Sequence, residues 1–287
     1  MTTTTPTSPP TVVLLLQPAA ASEAALARAV ELSGVLGARL QAILTVPTGA
    51  ATCETMLAER DVARALGARM PPERHRIELA HGDRIDSVRR LLRDVPVAVV
   101  VVDGGVPPSD VCTLADELAA PVMVARGDHA PGPWFAASDL RLDALPVLAA
   151  ARALARAIDR PMICVHNVPR SRLMVAEPGA IAIAVEASSR WEDERVASGR
   201  TRLARFAAGD PTVTPLVTRS HDTVAALLGL ARQVGADVLA IGHRRHSWLG
   251  RLLRGDTTVR LLERHRGNAL VVPLVIRRGG SCPRSRR

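Results

Sequence analysis

Two periods of hydrophobicity alternate along the chain. Short apolar runs suited to buried strands are followed by segments whose apolar residues recur every three or four positions, the stripe of an amphipathic helix. Residues 11–16 form the first run. Residues 22–37 then place Ala25, Leu26, Ala29, Val30, Leu32 and Leu36 at helical spacing behind Ser22, whose hydroxyl suits a helix cap. Further strands are predicted at 39–46, 76–80, 97–102 and 121–125, with helices at 52–66, 83–93 and 109–119. Residues 97–102 are apolar at every position, as a strand covered on both faces should be. Alternation of this kind demands right-handed crossovers, and therefore a parallel sheet with helices on both sides.

Residues 126–133 (Arg-Gly-Asp-His-Ala-Pro-Gly-Pro) break the periodicity and read as a linker. Beyond it the same order recurs. Strands are predicted at 134–138, 162–166, 212–218, 237–241 and 269–275, and helices at 142–158, 183–207 and 223–234, with a loop and a last helix within 242–266. An internal repeat follows, with domains at 11–126 and 133–276 and a disordered, arginine-rich tail at 277–287. The halves differ after their fourth strand: Asp103 to Pro121 spans 18 positions, whereas Gly242 to Ala269 spans 27. Loops at the carboxyl ends of strands are where open α/β sheets hold ligands, so the extra residues mark the place to look for function.

Composition narrows this picture. Hydrophobic residues make up 47% of the chain and aromatic ones 2%, so Ala, Val and Leu must supply the packing. No apolar run exceeds the length of residues 97–102, far short of the roughly 20 residues of a membrane span. Residues 1–11 carry no Lys or Arg, unlike the start of a secretory signal. Cys53, Cys112, Cys164 and Cys282 show neither Cys-x-x-Cys nor zinc-ligand spacing, which fits a reduced, cytoplasmic setting. The net charge of +9 is carried by arginine, because the chain has no lysine. Such an excess attracts phosphates, nucleic acid or anionic surfaces, although a genomic base composition favouring Arg codons accounts for it better.

The chemistry-bearing segment is 237–264 followed by Ala269-Leu270-Val271-Val272-Pro273. A strand runs into Gly242, Arg245 follows three positions later, and nine residues, 246–254, lead to Gly255, Asp256 and Thr257 at the start of a helix. Glycines permit close backbone approach, and free N–H groups at a helix start face an anion with the helix dipole behind them. Arg244, Arg245 and Arg251 add guanidinium groups to the same loop. This segment resembles the end of a universal stress protein domain, in which Gly-x-x-Gly, nine residues and Gly-Ser or Gly-Thr form the phosphate loop. Arg245 stands in place of the second glycine and Asp256 in place of the hydroxyl. Residues 77–86 resemble the family's strand-three turn, so the likeness extends over residues 11–276 and is strongest at 212–276.

The resemblance implies two doubly wound parallel five-stranded sheets in tandem, adenine nucleotide alpha hydrolase-like or flavodoxin-like, with strand order 3-2-1-4-5. It also implies an ATP or other adenine-nucleotide site in the second domain. There Asp139 would contact the nucleoside, Asn167 would lie beside the adenine, and Gly242, Arg245, Gly255, Asp256 and Thr257 would approach the phosphates. In the first half Gln17 occupies the acidic position and Gly104-Gly105 is followed by prolines, so that pocket is expected to be degenerate. Family membership further implies a pseudo-dimer of the two domains, joined across their fifth strands, and a homodimer as a further assembly.

Competing features carry less. His243 and His246 are spaced for a metal, but no loop carboxylate or thiol before Asp256 completes a set, and adjacent arginines oppose a cation. Ser220-His221-Asp222 cannot form a catalytic relay from consecutive side chains and reads as a helix cap. P-loop, dinucleotide-fingerprint and nucleophile-elbow motifs are lacking, which leaves enzymatic turnover unsupported. Arg260, Arg264 and Arg266 lack interleaved aromatic residues, which argues against nucleic-acid reading. Two readings stay open: a stress-response regulator binding an adenine nucleotide, and a tandem adaptor that binds none and acts through protein contacts.

Overall fold

The structure, a computed structural model, describes residues 9–17, 22–47, 49, 51–127, 131–141, 144–170, 178–244 and 257–274, with side chains left undescribed at 178–188. The tail at 277–287 and most of the lead-in lie outside these residues. The first half runs β1 (Thr11–Leu16), α1 (Glu23–Val35), β2 (Arg39–Val46), α2 (Thr52–Gly67), β3 (His75–His81), α3 (Arg84–Leu91), β4 (Val97–Asp103), α4 (Pro108–Leu118) and β5 (Val122–Ala125). The second runs β6 (Trp134–Ala137), α5 (Leu145–Ala157), β7 (Met162–Pro169), α6 (Pro178–Ala207), β8 (Val213–Ser220), α7 (Thr223–Gln233), β9 (Val238–Arg244), α8 (Thr257–Arg264) and β10 (Asn268–Leu274).

Local chemistry starts several helices where the pattern places them. The Ser22 hydroxyl accepts from the Ala25 amide at 3.3 Å, and Asp83 caps α3 through the Asp86 amide at 3.0 Å. Asp222 accepts from the amides of Val224 and Ala225 at 2.9 and 3.1 Å, so Ser220-His221-Asp222 ends in a helix cap. Ladder pairing extends two strands past their predicted ends. β7 pairs with β8 as far as Pro169, and β9 pairs with β10 as far as Arg244. Asn167 and Gly242 therefore lie within strands, where the sequence had placed them at loop mouths. Cross-strand hydrogen bonds do not depend on side-chain polarity, so polar residues do not end a strand that has a partner.

Each half has the strand order 3-2-1-4-5, and the two runs join into one ten-stranded sheet, β3-β2-β1-β4-β5-β10-β9-β6-β7-β8. Pairing is parallel within each half and antiparallel at the seam, where Ala269, Leu270 and Val271 face Val124, Met123 and Val122. A fifth strand is an edge in either half, and the seam satisfies both edges at once. Side-chain alternation along the strands feeds two separate cores. Val12, Leu14 and Leu16 belong to one core with residues of α1, α2, α5 and the end of α6, whereas Val13 and Leu15 belong to the other with residues of α3, α4, α7 and α8. Among the described residues no helix is long and apolar enough to cross a membrane.

Polar contacts flank the seam. Arg28 of α1 donates to both carboxylate oxygens of Asp237 at 2.9 and 3.0 Å, and Asn268 donates to the same carboxylate at 2.8 Å. Asn268 in turn accepts from the Arg126 amide at 2.9 Å. On the other side of the sheet His243 of β9 lies 3.4 Å from Asp116 of α4, and both are largely buried. His243 is thus buried against the first half.

Candidate functional site

In a doubly wound sheet the crevice opens where neighbouring strands send their helices to opposite faces. In the second half that place is between β6 and β9, which pair from Trp134–Val238 to Ala136–Ala240. Asp139 follows β6 and Arg244 ends β9, and the sheet brings them together. The Asp139 carboxylate lies 3.8 Å from the Arg244 guanidinium and 3.5 Å from that of Arg141, and it accepts from the Arg141 amide at 3.0 Å. Asp139 is half exposed while Arg244 is largely covered, so the acidic group presents the more open side of the pair.

Gly242 lies two residues before Arg244 on β9. A Cβ there would come within 2.8 Å of Val147 Cγ2 and 3.0 Å of Leu274 Cδ1. Its lack of a side chain is thus explained by the packing of α5 and β10 against β9. Its φ is not in the left-handed region, contrary to the positive φ a phosphate-loop glycine can adopt. The Gly242 carbonyl instead accepts from Thr258 Oγ1 at 2.9 Å, which fixes the start of α8 to the end of β9. Thr257 opens α8 and is exposed. Arg245, Arg251, Gly255 and Asp256 lie outside the described residues, as does His246.

Asn167 points toward α7. Its Nδ2 donates to Thr223 Oγ1 at 2.8 Å, while its Oδ1 is buried and has no donor among the described residues. A buried amide oxygen without a partner costs about 1–3 kcal/mol, so this acceptor is poised for a donor. Its neighbour His166 is 7% exposed, lies against Gly199 of α6 and hydrogen-bonds the Ser138 carbonyl at 2.9 Å. Burial holds the His166 pKa below its ordinary value; the Arg195 and Arg202 charges act in the same direction, and the Ser138 carbonyl and Asp139 oppose it. Because protonation is harder in the folded chain, this residue's stabilising contribution is complete above about pH 6.5, the unfolded value, and declines as the pH falls below it. The urea midpoint is therefore expected to drop as the pH is lowered from about 7 toward 5.5, and His166→Gln should flatten that part of the curve.

Thr223, His166 and Thr258 were not singled out by the sequence, which carries no motif for them. The His243–Asp116 contact joins different halves and has no local signal at all. The first half's corresponding crevice, bounded by Leu16, Gln17, Arg84 and Asp103, holds only about 10 Å³. That is space for one water molecule at most.

The chain resembles the structure of a functionally unknown protein from Pseudomonas aeruginosa PAO1 at 16% identity and a TM-score of 0.65, covering 93% of each chain. It is similar to a universal stress protein from Archaeoglobus fulgidus DSM 4304 at 12% identity and a TM-score of 0.59, covering 91% of this chain and 96% of that one. Identities this low establish a shared fold. No curated protein matches the sequence. The model of the universal stress protein family matches residues 136–273, the span that carries Asp139, Asn167, Gly242 and the loop to Thr257. The match covers just under half of the chain and lies wholly in the second half.

Proposed function

We propose that the chain is a stress-response regulator whose second half, residues 133–276, takes an adenine nucleotide at the carboxyl ends of β6, β7 and β9. The observation that carries this reading is the meeting of Asp139 and Arg244 at the β6–β9 switch point, where a carboxylate can accept ribose or adenine donors and a guanidinium can meet phosphate. The unpartnered Asn167 Oδ1 supports it as a further acceptor. In this reading Gly242, Arg245, Gly255, Asp256 and Thr257 line the phosphate side, ATP is the ligand to try first, and no turnover is assigned. The half at 11–126 acts as a pseudo-dimer partner across the β5–β10 seam, and the protein works in the cytoplasm.

Calorimetry with ATP and AMP tests it. Saturable binding is expected, weakened about tenfold or more by Asp139→Ala, which removes a charged hydrogen-bond partner. No heat at millimolar nucleotide would refute the reading. A second reading, a tandem adaptor that binds no nucleotide, is favoured by two facts. Asp139 is already engaged by Arg141 and Arg244, and Gly242 is accounted for by packing.

A further inference from the structure

A cleft of about 680 Å³ opens at the other end of the seam, between the carboxyl ends of β4 and β5, the start of α1 and the last turn of α8. It is displaced by one strand from the closed β1–β4 crevice of the first half and takes residues from both halves. Small-molecule sites commonly measure about 300–1,000 Å³. The nucleotide reading does not involve this cleft, and neither depends on the other.

Two arginines line it, Arg126 from the end of β5 and Arg266 from beyond α8. Arg126 is partly buried, and its side chain donates to the His265 carbonyl. Among the described residues neither arginine has a carboxylate within ion-pair distance. Partial burial and the nearby Arg266 charge both work against the charged form of Arg126. A partly desolvated cation facing a like charge is costly, and an anion between the two would relieve both terms. Gly104 makes the arrangement feasible, since a Cβ there would come within 2.5 Å of Arg126 Cγ. The Gly104-Gly105 pair, which the family pattern does not use in this half, thus lets Arg126 lie across the β4–α4 loop.

The cleft also holds two carboxylates, Asp103 and Glu263. One oxygen of Asp103 accepts from the Gly105 amide at 2.7 Å, and among the described residues its other oxygen is left for a donor. A bare anion would meet these groups unfavourably, whereas a molecule with an anionic end and hydroxyl groups would satisfy both kinds of lining. We infer that this cleft binds a small phosphorylated polyol, its phosphate held between Arg126 and Arg266 and its hydroxyls donating to Asp103 and Glu263. Phosphate suits paired guanidinium groups because its oxygens accept two planar N–H forks at once.

Titration calorimetry of the full chain with ribose 5-phosphate, ribose and inorganic phosphate tests the inference. Saturable binding of ribose 5-phosphate is expected, with inorganic phosphate weaker and ribose silent. Arg266→Glu should weaken ribose 5-phosphate binding about tenfold or more, because it replaces a charge-assisted contact by a repulsion. Arg266 is exposed, so an unchanged circular dichroism spectrum should accompany the loss, and Arg266→Ala offers the same readout with no new charge. Undiminished binding by both variants, or ribose binding as tightly as its phosphate, would overturn the assignment, as would silence of all three compounds at millimolar concentration. These results leave the ATP titration unaffected, so the two sites stand or fall separately.

Discussion

Asp237→Ala is expected to lower the unfolding free energy by about 3–5 kcal/mol, the usual cost of removing one partner from a buried ion pair. Asp237 is 4% exposed and accepts from Arg28 through both oxygens and from Asn268 through one. Without it, the Arg28 guanidinium on α1 keeps, among the described residues, only the flanking Glu31, and a buried Asn268 amide loses its acceptor. Arg28 and Asp237 lie 209 residues apart in the chain, so the loss would weaken the junction of the halves and not just one helix. Urea unfolding measures the effect. Breaking the exposed Arg64–Asp61 pair with Asp61→Ala provides the contrast and should change stability by no more than about 1 kcal/mol. Similar effects for the two variants would mean that Asp237 is better solvated than its surroundings indicate. Arg28→Met combined with Asp237→Leu should cost less than the sum of the two single changes, because neither charge is then left alone.

The second large effect is in the core. Trp134 opens β6, is fully buried and is among the bulkiest side chains in the interior. Truncation to Ala is expected to cost about 3–5 kcal/mol through lost burial and the cavity left behind. Trp134→Phe should cost much less, about 1.5 kcal/mol or below, because the indole N–H has no acceptor among the described residues and phenylalanine removes that unsatisfied donor while keeping most of the volume. Denaturant midpoints of the two variants check this. A phenylalanine variant as unstable as the alanine one would show that the indole N–H does find a partner in solution.

The polar contacts of the site were harder to read than its location. Asp139 and Gly242 stand out in the sequence because their spacing follows a family pattern. The partners they acquire, Arg244 for one and Val147, Leu274 and Thr258 for the other, depend on how strands from distant parts of the chain align. Asn167 illustrates the same limit. Its identity and place on β7 are legible, but its turn toward Thr223, which leaves one oxygen without a donor, is set by where α7 starts against the sheet.

The periodicity of apolar residues, by itself, determined the strands, the helices, their alternation and the repeat, because each rests on local propensities and on the need to bury one face of every element. It also determined where a ligand loop should be sought. Tertiary structure decided what joins the halves: the antiparallel meeting of β5 and β10, the Arg28–Asp237–Asn268 network and the His243–Asp116 contact. It also decided that a cleft lined by Arg126 and Arg266 opens there. The physical reason is range. Secondary structure is selected by neighbours a few residues away, whereas an edge-to-edge seam and the charges beside it depend on groups that come together only when two finished halves meet.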